Sequence, residues 1–277
     1  MPDNIENVIV EDRDDGITII KLNRPHRRNA VNPETAHLLY DAFLAFENNP
    51  KQKVCVFAGT EGIFCAGADL HEVAKSSETS IAETKQSNLE AVNGRNIAPM
   101  GPSRLQLRKP CIAAVSGYAV AGGLELSLIA DMRVVEEDAI FGVFCRRWGV
   151  PLIDGGTVRL QAIVGLGRAL DMILTGRPIS ANEALGMGLA NRVVPKGKAL
   201  EEAIKIAKQL TEFPQLCMNL DRRSCYYAAY EAGSFEDAMA NEYANGIAAV
   251  KAEGIKGADR FSKGAGRSGS FGDVSKI

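Results

Sequence analysis

The sequence predicts an α/β fold with a helical C-terminal region, and three observations carry that prediction. Short segments rich in β-branched residues recur as far as Val194 and alternate with helical patterns. Two of these segments run into turns built from glycine and alanine. Strand signals then stop near Lys198, and three helical stretches follow.

The strand candidates, in order, are Ile17 to Leu22, Val54 to Ala58, Cys111 to Val115, Met132 to Val135 and Arg192 to Val194. The first helix is bounded by Asn32, a good cap, and by Pro33 at its first position. Leu38, Leu39, Ala42, Phe43 and Phe46 give it an apolar face, and Asn48-Asn49-Pro50 stops it. A second helix opens on Gly122-Gly123 and runs to Ala130, a third starts near Thr157, and Ser180 with Glu183 has the spacing of a capping box. The terminal stretches cover Ala199 to Thr211, Pro214 to Glu231 and Ser234 to Glu253, so a boundary is expected near residue 200, dividing a core, 1–199, from a helical region, 200–277. Such a helical tail cannot enclose a core of its own and should pack on the main body or on another subunit. The stretch from Lys75 to Leu107 is polar and poorly periodic, which makes it a candidate mobile lid.

Composition narrows the function. The 277 residues are 46% hydrophobic and 24% charged, an ordinary globular balance. A formal charge of −2 offers no cationic field of the kind a nucleic-acid binder uses, so an anionic ligand must be met by local groups. The six cysteines form no CxxC pair, and several lie in apolar runs, which points to a reducing compartment and to no metal site. The first fifteen residues carry six Asp or Glu and one Arg, with neither a secretory nor a mitochondrial pattern, so a cytoplasmic location is expected. The chain ends Ser275-Lys276-Ile277, one residue from the peroxisomal Ser-Lys-Leu address, and in a eukaryote peroxisomal import is the alternative. No apolar run approaches the ~18 residues of a membrane span.

The two glycine turns carry the chemistry. Phe64-Cys65-Ala66-Gly67-Ala68-Asp69-Leu70 follows the second strand, and its small side chains let a ligand approach unpaired backbone N–H groups. Ser116-Gly117-Tyr118-Ala119-Val120-Ala121-Gly122-Gly123-Leu124-Glu125-Leu126 follows the third, and the helix it opens presents free donors and a positive dipole end. Each turn taken alone is also what tight packing would need, and Glu125 in a first helical turn is also what dipole compensation would need.

Taken together, and with Leu22-Asn23-Arg24-Pro25, Asn29-Ala30-Val31, Lys109-Pro110-Cys111-Ile112-Ala113-Ala114-Val115, Ala130-Asp131-Met132-Arg133, Leu174-Thr175-Gly176, Ala184 to Leu189 and Val193-Val194-Pro195 in order, the chain resembles the enoyl-CoA hydratase/isomerase (crotonase) family along nearly its whole length. The resemblance implies a crotonase-like spiral of ββα units with C-terminal helices that build a homotrimer or hexamer. It implies an acyl-CoA thioester as substrate, coenzyme A being part of that substrate, with no separate cofactor. The N–H groups of Ala68 and Gly122 would form an oxyanion hole for the thioester enolate, where losing one donor costs on the order of 3 to 4 kcal/mol of barrier.

By the same resemblance Glu125 is a general base or water-positioning group. Cys145, in Phe144-Cys145-Arg146-Arg147, stands where family hydratases carry a second glutamate, and a thiol is a poor stand-in for a carboxylate. Asp154 lies near the working aspartate of some isomerase and dehalogenase relatives, or else caps the helix near Thr157. Arg146 and Arg147 either hold an acyl carboxylate or pair at the surface. Arg27 and Arg28 would meet the nucleotide phosphates of coenzyme A, with Ala30 and Ala66 shaping its path, His71 near the pyrophosphate, and Phe261 and Lys263 reaching a neighbouring subunit's ligand. Arg24 would also shape the adenine side, and Asp69 would hold its turn. The expected activity is hydration of a 2-enoyl-CoA. The alternatives are isomerisation by a single carboxylate and a binding homologue without turnover.

Overall fold

A computed structural model describes residues 6–75 and 89–264. The chain divides into two compact units, the first ending at Ala207 and the second starting at Lys208. The first unit is built on a six-stranded sheet. Strands β1 (Val8–Asp12) and β2 (Ile17–Leu22) form an antiparallel hairpin closed at Gly16, whose φ of +81° suits glycine. Next to β2, in parallel, lie β3 (Val54–Gly59), β4 (Cys111–Val115), β6 (Met132–Glu136) and β9 (Arg192–Val194). The unbroken burial of β4 explains why the inner strands read as continuous apolar runs rather than as alternating ones. The edge strand β1 was not legible in the sequence: only Val8 is buried, and the strand exists through its pairing with β2.

A second, smaller sheet stacks its turns in the same order: β5 (Tyr118–Val120), β7 (Ile140–Gly142) and β8 (Ile179–Ser180). Single-residue parallel bridges, Val31 with Ala68 and Cys65 with Ala119, extend this pairing to the earlier chain. Four of the large-sheet strands, β2, β3, β4 and β6, are thus followed by a residue or short strand of the second layer, and then by a helix. The units run β2, Val31, α1 (Pro33–Asn48); β3, Cys65 to Ala68, α2 (Leu70–Lys75); β4, β5, α3 (Gly122–Ser127); and β6, β7, α4 (Gly156–Val164). That repetition is the expected spiral of ββα units, and it brings the two glycine turns to neighbouring positions on consecutive coils.

Local signals account for most helix boundaries. Asn32 Oδ1 accepts the Thr35 N–H at 2.9 Å, so α1 starts on its predicted cap. Helix α3 ends at Ser127 rather than Ala130, and there the Arg133 guanidinium takes up the freed carbonyls of Ser127 and Ala130. Helix α4 is capped by Gly155 and not by the Asp154 side chain, which corrects the capping alternative for that residue. Helices α5 (Leu166–Thr175) and α6 (Ala181–Gly186) complete the layer, and Ser180 Oγ caps α6 by accepting the Glu183 N–H, while the Glu183 carboxylate pairs with Arg177 instead of closing the box.

The lid expectation also needs correction. Residues 76–88 lie outside the described part, but Ala98, Met100, Ser103, Leu105 and Leu107 are all buried. Gly101, at φ +84°, brings its backbone against the Ala36 carbonyl, and Glu47 anchors the segment by accepting from Arg95 at 2.6 Å and from the Arg108 N–H at 2.7 Å. Residues 98–107 are wall, not lid; they read as polar because their fixing bonds are made by side chains to backbone.

Helix α7 (Ala199–Glu212) leads from the first unit into the second, which contains α8 (Gln215–Tyr230), α9 (Phe235–Ala249) and α10 (Ile255–Ser262). Helices α8 and α9 form a hairpin tied by the Tyr227 hydroxyl donating to Asp237 and by the Asn245 amide donating to Ser224 Oγ. The stretch expected to end at Glu253 passes through a π turn, Val250–Gly254, and continues as α10. Phe235, Met239, Tyr243, Ile247 and Val250 are exposed at helical spacing along α9 and its extension. Among the described residues no helix is long and apolar enough to cross a membrane.

Candidate active site

The first glycine turn is held from below by a buried ion pair. Arg24 Nη2 lies 3.1 Å from Asp69 Oδ2, both side chains nearly excluded from solvent, and Arg24 also donates to the Ala30 carbonyl. Removing either partner would leave an unpaired buried charge, at ~3–5 kcal/mol. Asn29 works beside them, accepting from the Arg24 N–H and donating to the carbonyls of Thr60 and Ile63. Arg24 and Asp69 therefore brace the turn.

Peptide geometry then sets where the turn's amides point. The Gly67 carbonyl accepts from the Val31 N–H at 2.8 Å. Because a trans peptide sets C=O and N–H on opposite sides, the Ala68 N–H points away from Val31. In the second turn the Ala121 carbonyl accepts the Glu125 N–H at 3.3 Å, so the Gly122 N–H points out of the N-terminus of α3. Neither N–H has an acceptor among the described residues. The turns abut: a Cβ on Gly67 would stand 3.0 Å from the Ala121 Cβ and 3.1 Å from the Gly122 nitrogen, and a Cβ on Gly123 would stand 2.0 Å from the Cys65 carbonyl oxygen. Glycine is required at both positions because two backbones meet there. Ala121 itself sits at φ +53°, ψ −125°, a conformation costly for a residue with a Cβ.

One helical turn into α3 stands Glu125, only 3% exposed. Its Oε1 accepts the N–H of Asp154 at 3.0 Å and the N–H of Gly156 at 2.8 Å. Burial, and next the charge of Asp154, push its carboxyl up to about 7, against the pull of those two N–H donors and of Arg159. A Cβ on Gly156 would meet the Glu125 Oε1 at 2.9 Å, so this glycine makes room for the carboxylate. Asp154 is equally buried, and its Oδ1 accepts from the Met100 N–H at 2.9 Å and from the Ser103 hydroxyl. Burial raises its carboxyl too, opposed by Ser103, Met100, Arg104 and Arg159. Cys145 is buried near this pair, its thiol raised first by burial and then by the Glu125 charge.

The structure thus brings Ala66, Ala68, Gly122, Glu125 and Asp154 into one region. The Ala66 N–H donates to the Arg28 carbonyl at 3.1 Å, which places the exposed Arg27 and Arg28 side chains beside the first turn. Neither has an ion-pair partner among the described residues. Ala30 is buried, and His71 is exposed on α2. Arg146 and Arg147 are exposed, the first donating to the Ile173 carbonyl and the second lying over the Phe144 ring, and neither makes the expected surface ion pair among the described residues. Phe261 and Lys263 belong to the second unit, Phe261 exposed and Lys263 paired with Asp259. Sequence reasoning missed Met100, Ser103 and the donor role of Gly156. Ser103 and Met100 lie 51 and 54 residues from Asp154, and no local pattern links them. Among the described residues no group of three His, Cys, Asp or Glu side chains is arranged to hold a metal ion.

Residues 12–225 match the family model described as enoyl-CoA hydratase/isomerase. Enoyl-CoA hydratase EchA19 from Mycobacterium tuberculosis is 35% identical over 213 residues, covering 74% of this chain and 75% of that protein. A probable mitochondrial enoyl-CoA hydratase 2 from Arabidopsis thaliana is 36% identical over 214 residues, covering 76% and 67% respectively. Among solved structures, an enoyl-CoA hydratase from Mycobacterium tuberculosis H37Rv superposes with a TM-score of 0.82 at 32% identity, covering 93% of this chain and 96% of that one.

Proposed function

The chain belongs to the enoyl-CoA hydratase/isomerase family, and from that premise we propose that it adds water to a 2-enoyl-CoA. In this reading the thioester oxygen lies against the N–H groups of Ala68 and Gly122. Glu125 takes a proton from water as the water oxygen bonds to the β carbon. The electron pair of the double bond moves through the α carbon onto the thioester oxygen, where the two donors stabilise it. A proton then passes from the carboxyl pair to the α carbon, the carbonyl re-forms, and H and OH have been added with no net change of charge.

The observation that carries this reading is the state of Glu125: buried one helical turn behind an unpaired amide, next to a second carboxylate, with its proton held at about 7. A group with that affinity is half ionised at neutral pH, yet basic enough to take a proton in the transition state. Since the base works ionised, kcat/KM should rise with pH through about 7 and level off above it; a profile flat from pH 5 to 9 would remove Glu125 from that role.

Cys145, at the place of the second family glutamate, favours one rival, an isomerase that moves a proton between the α and γ carbons with one carboxylate. Crotonyl-CoA and a 3-enoyl-CoA incubated with the protein separate the two, because hydration adds the mass of water and isomerisation leaves mass unchanged. Glu125→Gln should lower either rate by ~10³ or more. Binding of both esters with no product from either would leave the non-catalytic homologue.

For the coenzyme A moiety the proposal assigns Arg27 and Arg28 to the phosphates, His71 to the pyrophosphate, and Ala30 and Ala66 to the path between, with Phe261 and Lys263 serving a neighbouring subunit. Assembly into a trimer or hexamer is supported by the apolar stripe on α9, where Phe235 is 82% and Tyr243 71% exposed. A cytoplasmic location, or a peroxisomal one in a eukaryote, stays a proposal; Ser275-Lys276-Ile277 lies outside the described residues, and the Arabidopsis relative is named mitochondrial.

A further inference from the structure

The Asp154 carboxylate is fixed from outside its own loop. Both of its hydrogen bonds come from the short segment around the 3-10 turn Pro102–Arg104: the Met100 N–H and the Ser103 hydroxyl converge on Oδ1, and Oδ2 takes no hydrogen bond among the described residues. That segment is itself fastened. Arg159 donates to the carbonyls of Ser103 at 2.7 Å and Leu105 at 3.2 Å, and Arg104 donates to Asn96, the Ile97 carbonyl and the Glu90 carbonyl. Asp154 in turn gives its own N–H to Glu125. A chain of contacts therefore runs from Ser103 through Asp154 to the catalytic candidate Glu125, and each link is buried.

We propose that Ser103 is a positioning residue: with the Met100 amide, its hydroxyl holds Asp154 as a fixed anion beside Glu125, so that protons are handled by a carboxylate pair that needs no second glutamate at Cys145. The inference rests on the reading of Glu125 as the working base, and it adds the residue that makes Asp154 its partner. The chemistry is that of two like charges in a shared buried site, where stabilising one anion forces the other to keep its proton. A hydroxyl donor favours the ionised form of Asp154, and the ionised Asp154 raises Glu125. The other charged or titratable groups facing the pair are Arg104 on its 3-10 turn, Arg159 on α4 and Cys145 on the 3-10 turn Phe144–Trp148 after β7, and none of them is replaced by changing Ser103.

The test reads the carboxyls directly, so that it does not depend on turnover. The full-length protein is labelled with carbon-13 at Asp and Glu carboxyls and titrated by NMR, with Glu125→Gln and Asp154→Asn assigning the two signals. Wild type should show Glu125 titrating near 7. In Ser103→Ala the Asp154 midpoint should rise and the Glu125 midpoint fall by about half a pH unit or more, and Ser103→Thr, which keeps a hydroxyl, should restore both. Asp154→Asn keeps an acceptor for Met100 and Ser103 while losing the charge, so it should lower the Glu125 midpoint even where the threonine variant folds poorly. A Glu125 midpoint unmoved in folded Ser103→Ala overturns the proposal, and one unmoved in Asp154→Asn overturns the coupling of the two carboxyls on which it stands. If instead the midpoints move as stated and no enoyl-CoA is turned over, the positioning role stands and the proposed activity falls.

Discussion

Glu125, the base in the proposed reaction, also makes the stability of the fold depend on pH. Its ordinary value is 4.5, and in the fold it lies at about 7. Below 4.5 the folded and unfolded states both hold the proton. Between those values the folded chain keeps a proton that the unfolded chain releases, so stability falls as pH rises, and above about 7 the loss is complete. Glu125→Gln removes the ionisation while its amide oxygen can still accept from Asp154 and Gly156. The variant should therefore gain on wild type with rising pH, the stability difference being about 2–3 kcal/mol larger at pH 8 than at pH 5. Urea unfolding at the two pH values measures it, and a difference independent of pH would mean that Glu125 carries no buried-charge penalty. Glu125 was legible in the sequence because it sits at a fixed step inside a glycine turn. Ser103 was not, because its partner stands 51 residues away and only the coiling of the chain brings the two together.

Elements that bury themselves on both faces were the easy ones to read. β3 and β4 are apolar from end to end, and α1 carries its cap and its stop in sequence. The second-layer pieces were not readable: β5, β7 and β8 span only two or three residues, too few for any periodicity, and two of the layer's pairings are single-residue bridges. Their existence depends on the coil before and the coil after, which is also why the turn between β5 and α3 can store strain. Ala121 pays for its place at the junction with a positive φ, while its peptide supplies the Gly122 N–H and its carbonyl caps Glu125. Ala121→Gly should relieve that conformation and raise stability by ~0.5–1 kcal/mol, with the amide direction kept because the neighbouring hydrogen bonds are unchanged. Thermal melts together with CoA-ester affinity check this: a lower melting temperature would show that the Ala121 methyl, packed against Gly67, contributes more than its backbone costs.

At the scale of the whole molecule the proposed function asks how a chain of net charge −2 would attract a ligand as anionic as coenzyme A. That balance offers no net cationic field, so the proposal places the attraction in cations close to the first turn. Arg24 is spent on Asp69 and is buried. Arg27 and Arg28 are different: they flank a left-handed backbone step at Arg28, φ +52°, that ties the loop to Ala66 through its carbonyl and leaves both guanidinium groups exposed. An exposed charge pair is worth ~0.2–1 kcal/mol, so Arg27→Ala and Arg28→Ala should each weaken CoA binding by up to about fivefold at low salt. The double variant should lose most of the salt dependence of Kd between about 50 mM and about 500 mM sodium chloride, over which the screening length shortens roughly threefold. The rate at saturating substrate should hardly change, because neither side chain takes part in the carboxyl pair's hydrogen-bond network. Calorimetric titration of coenzyme A at the two salt concentrations decides the matter. Unchanged affinity and an unchanged salt slope in the double variant would mean that the phosphates are met by other cations, and that the first turn positions only the thioester.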